Sequence, residues 1–159
     1  MPKIDSKWLL GLAVCGFAFA GTFASAEPQA SHEHSAAHGE PVESNMHEFM
    51  EYYFEPAYKE LRSEMASEPE NNTGWKAIKA HSLVLAEGGN LLLMHKPYKS
   101  DDVKSWREHS VAVRKHGGEL FAAAKKKDYA AARTAYEAMI GQCNQCHDGF
   151  HHGKPKLKP

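Results

Sequence analysis

Apolar side chains recur at alternating spacings of three and four residues in four stretches of this chain of 159 residues. The stretches cover about residues 43–65, 72–96, 100–127 and 129–150. A 3-4 spacing places side chains on one face of an α-helix, so each stretch predicts an amphipathic helix. We find no run with the period of two that a strand would need. The sequence therefore predicts an all-α fold, arranged as an up-down-up-down four-helix bundle.

The N-terminus has the pattern of a secretory signal peptide. Lys3 and Lys7 flank the start of an apolar run from Trp8 to Phe23, and a small-residue cleavage site follows at residues 24–26. We expect residues 1–26 to be removed during export to the periplasm. The apolar run is short for a membrane span, so we expect no stable membrane insertion after cleavage.

The mature chain divides into three parts. Residues 27–44 are rich in Glu, Pro, Ser, Ala and His and predict a disordered lead-in. Its histidines could bind a metal ion, although a solvated linker is the simpler interpretation. Residues 45–151 predict the four-helix domain, and residues 152–159 predict a loose basic tail.

A C-x-x-C-H motif, Cys143-Asn144-Gln145-Cys146-His147, lies in the last predicted helix. Two cysteines three apart on a helix lie on one face, about one turn from each other. This spacing matches the two vinyl groups along one edge of a haem, and the motif is the attachment signal of c-type haem. We therefore predict one covalent haem c on Cys143 and Cys146, with His147 as the proximal axial iron ligand.

Three other roles for the two cysteines are weaker. No second C-x-x-C completes the four ligands of a structural zinc site. The surrounding sequence lacks the strand-rich pattern of a thioredoxin-like redox protein. A disulfide between cysteines one helical turn apart would strain the backbone.

Charge and composition give little reason to expect nucleic-acid binding or catalysis. The formal net charge is −1 with neutral histidines, and no basic segment resembles a nucleic-acid site. No nucleophile–base pair or carboxylate dyad stands out in the sequence. We therefore expect a protein that is not an enzyme.

The chain resembles the cytochrome c-prime family over about residues 43–151. The resemblance rests on the motif at 143–147, placed late in an all-helical chain, and on Asp148-Gly149-Phe150 after it. Ordinary small c-type cytochromes carry the motif near the N-terminus. The chain departs from the family at His151 and His152, where the family usually has Arg or Lys. The resemblance implies a four-helix bundle, often a homodimer packed through its first two helices.

The resemblance also implies that the first helix supplies the residue on the distal side of the haem. In some members an apolar residue blocks the sixth iron position, and the five-coordinate iron binds NO or CO. In others a methionine ligates the iron, and the protein carries electrons. Met50 is our first candidate for the distal ligand, His47 the second and Met46 the third. For Met50 the alternative role is core packing.

These features lead us to expect an electron carrier that works through Fe(III)/Fe(II) with redox partner proteins. The alternative function is a five-coordinate haem module that binds a small gas, NO or CO. Both functions require the covalent haem, and they differ in the distal side chain.

The sequence also predicts local structure at one proline, two glycine pairs and four histidines. Pro56 lies inside the first helical stretch and predicts a kink or a split. Gly88-Gly89 and Gly117-Gly118 predict either a helix break or the close approach of a neighbouring helix. Four histidines lie off the apolar stripes and are expected at the surface: His81, His95, His109 and His116.

Overall fold

The all-α class and its four helical stretches are confirmed by a computed structural model that describes residues 39–153 and 155–159. These residues contain no strand. The predicted signal peptide and most of the predicted lead-in, up to residue 38, lie outside the described residues. Within the described part, no helix is both long enough and apolar enough to cross a bilayer.

The first helical stretch has three segments, and the other three stretches are single α-helices. The segments of the first are α1 (Met46–Phe49), a π-helical turn (Met50–Phe54) and α2 (Glu55–Glu64). The remaining helices are α3 (Asn72–Leu92), α4 (Val103–Lys126) and α5 (Tyr129–Phe150). Helices that follow one another in the chain pack against each other, α2 on α3, α3 on α4 and α4 on α5.

Acidic or amide side chains cap the three long helices at their N-termini. Asn71 accepts hydrogen bonds from two backbone N–H groups of α3, and Asp102 and Asp128 do the same for one group each in α4 and α5. Such caps satisfy backbone donors that a helix leaves unpaired at its start. Lys127, with a left-handed φ of 56°, ends α4. These short polar connections therefore set where each helix starts and stops.

Pro56 is accommodated by the π-helical turn rather than by a break. Proline has no N–H, and its ring clashes with the carbonyl four residues earlier, which here belongs to Tyr52. The backbone widens just before it, and the N–H of Glu55 bonds to the carbonyl of Met50, five residues back. A single π turn of this kind is common at functional sites. The disturbance expected at Pro56 thus takes the form of a local widening that begins at Met50.

Two clusters of buried side chains hold the helices together. The larger cluster joins α2, α3, α4 and α5, and its most buried members include Leu61, Met65, Trp75, Ile78, Leu120, Tyr136 and Met139. The smaller cluster contains Met46, Leu92, Trp106 and Phe150, and Cys146 packs against it. Within it the indole N–H of Trp106 donates to the carbonyl of Leu92 at 2.9 Å, which satisfies a buried polar group. The motif of α5 therefore adjoins the smaller cluster.

One glycine of each pair, Gly89 and Gly117, marks a close approach of α3 and α4, and neither pair breaks its helix. A Cβ at Gly89 would lie 2.6 Å from the backbone nitrogen of Arg114 and 2.8 Å from the carbonyl oxygen of Ser110. A Cβ at Gly117 would lie 2.9 Å from the Cα of Ala86. The expected close approach of a neighbouring helix is confirmed at Gly89 and Gly117.

We expect Gly89→Ala to destabilise the protein by about 1–3 kcal/mol, the usual cost of overpacking, because backbone atoms of α4 cannot move aside cheaply. Gly118→Ala is the matched control, since a Cβ there meets no described atom within 4 Å. The free energy of unfolding of the control should rise by up to about 1 kcal/mol, because alanine has a better helix propensity than glycine. Urea unfolding of both variants measures the difference. Equal stabilisation of the two variants would contradict the close approach.

The C-terminal tail is packed rather than loose, contrary to expectation. The hydroxyl of Tyr58 donates to the carbonyl of Lys158 at 2.9 Å and accepts from the N–H of the same residue at 3.0 Å. The side-chain amide of Asn144 makes two hydrogen bonds with the backbone of Leu157, at 3.0 and 2.8 Å. The tail thus lies against α2 and α5.

Candidate functional site

The two predicted haem-attachment cysteines, the predicted proximal histidine and the first two distal candidates all line one cavity with a volume of about 450 Å³. This volume lies within the range of roughly 300–1,000 Å³ that is usual for ligand pockets. Its lining side chains come from the first helical stretch, from α3 and α4, and from α5 and the tail. The predicted residues that meet there are His47, Met50, Cys143, Cys146 and His147.

The cavity wall is mainly apolar. Each of the described helices contributes aliphatic or aromatic side chains, among them Phe54, Leu85, Leu92, Trp106, Val113, Met139, Ile140 and Phe150. Polar and charged groups are fewer in the wall and include Glu51, Glu55 and Lys156, all three of them exposed. Such a wall favours a large apolar ligand whose orientation is set by a few specific groups.

Both cysteines of the motif are half-buried and, in the described part of the chain, are not joined in a disulfide. Burial, with a smaller contribution from Cys146, raises the pKa of the Cys143 thiol to about 12. Burial alone raises the pKa of the Cys146 thiol to about 11. A reactive redox dithiol needs a lowered pKa instead. The pair is therefore protonated at neutral pH and poorly suited to thiolate chemistry.

His147 is oriented by the tail. Its Nδ1 lies 2.7 Å from the carbonyl oxygen of Pro155, and because a carbonyl can only accept, Nδ1 carries the proton. The lone pair is then on Nε2, which is the arrangement of a metal-ligating histidine with an oriented ring. Burial lowers the pKa of His147, whereas the hydrogen bond to Pro155 acts in the opposite direction. The neutral imidazole that results is the form that binds metals.

The candidate distal residues differ in their burial. Met50 is half-buried, starts the π-helical turn and packs against the smaller buried cluster. The side chain of His47 is 69% exposed, and its Nε2 lies 3.7 Å from a carboxylate oxygen of Glu51. Met46 is buried within the smaller cluster and also lines the cavity. Met50 is therefore better placed than His47 to reach a ligand in the cavity.

His109, which the sequence placed at the surface, is half-buried and lines the cavity. Its ring centroid is 6.3 Å from that of Phe150. The sequence could have indicated this position of His109, because His109 follows Trp106 by three residues and precedes Val113 by four, which is the spacing of one helix face. The other three histidines expected at the surface are half-buried and contact neighbours: His81 with Glu64, His95 with Phe49, and His116 with Glu119.

His151 and Tyr98 also line the cavity, and sequence reasoning did not assign either to the site. Their rings stack with centroids 5.3 Å apart. The Nδ1 of His151 is buried and finds no hydrogen-bond partner among the described atoms. These contacts join residues far apart in the sequence, so no local pattern points to them.

No group of three or more His, Cys, Asp or Glu side chains that could hold a metal ion occurs within residues 39–153 and 155–159. The expected histidine-rich lead-in lies almost wholly outside this part of the chain.

Comparisons with known protein families, with curated proteins and with solved structures find no match to this chain. The resemblance to the cytochrome c-prime family therefore stays a prediction from the motif and the helix pattern. The arrangement of side chains around the cavity is the basis on which a function can be assigned.

Proposed function

We propose that this chain is an exported c-type cytochrome with one covalently attached haem, which transfers single electrons. The observation that carries the proposal is the meeting of Cys143, Cys146, His147 and Met50 on one apolar cavity of about 450 Å³. In this proposal the helices form an up-down-up-down bundle of the cytochrome c-prime type. The signal peptide at residues 1–26 sends the chain to the periplasm, and its partners are redox proteins.

The residues of the cavity have separate roles in this proposal. Cys143 and Cys146 hold the haem through thioether bonds on the cavity face of α5. His147 would ligate the haem iron through Nε2, and Met50 would supply its thioether sulfur as the second ligand. When bound, the haem supplies a one-electron Fe(III)/Fe(II) couple whose potential the protein sets.

The apolar wall keeps water from the iron. Leu92, Trp106 and Phe150 are each less than a tenth exposed and form part of this wall. A dry environment disfavours the more highly charged oxidised state and so raises the reduction potential relative to an exposed, water-ligated haem. The same side chains exclude the solvent that would otherwise compete with Met50 for the sixth position.

Binding of NO or CO at a vacant sixth position is a second candidate function. It is favoured by the apolar side chains of Met46 and Phe54, which line the same wall as Met50. If Met50 packs against this wall instead of ligating the iron, the sixth position is open to a small gas.

Optical spectra of the purified mature protein in both oxidation states test the proposal. We expect a six-coordinate low-spin haem whose ferrous spectrum changes little when CO is added, because Met50 already occupies the sixth position. A high-spin spectrum that shifts with CO would favour the gas-binding function. Absence of haem absorbance after expression with a cytochrome c maturation system would contradict both functions.

A further inference from the structure

The C-terminal tail, residues 155–159, reaches the motif from the side of the proximal histidine. Pro155, Lys156 and Leu157 all line the cavity beside His147. Lys156 also pairs with Asp148, the residue that follows the proximal histidine. The position of the tail therefore bears directly on the environment of the predicted iron ligand.

Asn144, between the two cysteines of the motif, fixes the tail at Leu157. Its Nδ2 donates to the carbonyl of Leu157 at 3.0 Å, and its Oδ1 accepts from the N–H of Leu157 at 2.8 Å. An amide can donate and accept together, which a carboxylate or a hydrocarbon cannot do. The other intervening residue, Gln145, is exposed. One of the two variable positions of the motif thus has a specific partner.

Tyr58 of α2 fixes the next residue of the tail. Its hydroxyl donates to the carbonyl of Lys158 and accepts from the N–H of Lys158, at 2.9 and 3.0 Å. The side chain of Leu157 packs against the larger buried cluster between these two attachments. Two polar contacts and one apolar contact therefore hold residues 157 and 158 in place.

We propose that Asn144 and Tyr58 are positioning residues that hold the tail so that the Pro155 carbonyl sets the tautomer and donor strength of His147. The hydrogen bond from Nδ1 of His147 to this carbonyl, 2.7 Å long, is the link between tail and ligand. A hydrogen-bond acceptor on the outer nitrogen of a ligating histidine makes the histidine a stronger donor to the metal. The tail thereby lowers the reduction potential of the haem. This role rests on the proposed haem function.

The test compares Asn144→Ala and Tyr58→Phe with wild type in the full mature chain, with Gln145→Ala as the matched control. Amide hydrogen exchange at Leu157 and Lys158 measures tail attachment. The ¹⁵N spectrum of the His147 ring, recorded in the reduced state, measures its tautomer and hydrogen bonding. The midpoint potential measures the effect on the haem.

We expect roughly tenfold faster exchange at Leu157 in Asn144→Ala, the equivalent of about one hydrogen bond, and a similar change at Lys158 in Tyr58→Phe. In both variants the His147 Nδ1 signal should move and the potential should become more positive. Gln145→Ala should behave as wild type. Tyr58→Phe removes only a hydroxyl, so it provides the decisive result if Asn144→Ala does not fold.

Two results would overturn the proposal. The first is amide hydrogen exchange at residues 157 and 158 that is no faster in Asn144→Ala and Tyr58→Phe than in Gln145→Ala. The second is faster amide exchange in both variants, which shows that the tail is released, together with an unchanged ¹⁵N signal of the His147 ring. If the protein holds no haem, the proposed function fails, and the exchange and ring measurements still decide whether the tail positions His147.

Discussion

A variant in which both Cys143 and Cys146 are replaced by alanine is expected to lose all covalent haem. The two thiols are the only groups in the described cavity that can form thioether bonds with the haem vinyl groups. Haem held by His147 alone would dissociate under denaturing conditions. Haem-stained denaturing gels and denaturing mass spectrometry of the exported variant measure the loss.

Single replacements and a distant cysteine provide the controls for this result. Cys143→Ala and Cys146→Ala should each weaken attachment, because one thioether bond remains available. Cys15→Ala should leave the haem content unchanged, since Cys15 lies in the predicted signal peptide and we expect it to be removed during export. Full covalent haem in the double variant would rule out attachment through this motif.

Met50→Ala is expected to convert a low-spin, six-coordinate haem into a high-spin, five-coordinate one. Removing the thioether leaves the sixth position open, and CO should then bind readily to the ferrous protein. The potential should fall by on the order of 0.1 V, a fraction of the range of about 0.8 V that axial ligands span. Optical spectra with and without CO, together with redox titration, measure both effects.

Two matched variants separate ligation from packing. Met94→Ala removes a half-buried methionine that lies outside the cavity of about 450 Å³, so its spectrum should match wild type. His47→Ala tests the second candidate ligand, and its exposed side chain leads us to expect no change in coordination. A wild-type spectrum in Met50→Ala would eliminate Met50 as a ligand and favour core packing.

The position of the predicted site on α5 followed from local spacing alone. Tyr136, Met139, Cys143 and Cys146 recur at intervals of three and four, so one helical face carries the motif and the core side chains. The structure places Tyr136 and Met139 in the larger cluster and both cysteines on the cavity wall. A regular helix transmits such a pattern faithfully, because its side-chain directions repeat every 3.6 residues.

The tail and the π-helical turn could not be predicted in the same way. Tyr58 and Lys158 are 100 positions apart in the chain, and their contact depends on how whole helices pack. Pro56 signalled a disturbance of the helix, but whether the backbone kinks, breaks or widens depends on tertiary contacts around Phe54 and Gly88.

The intact mass of the mature exported chain under denaturing conditions tests the central claim most directly. We expect the mass of residues 27–159 plus one haem, because two thioether bonds survive unfolding. A mass equal to the bare polypeptide, after expression with a working cytochrome c maturation system, would contradict covalent haem attachment and the proposed function with it.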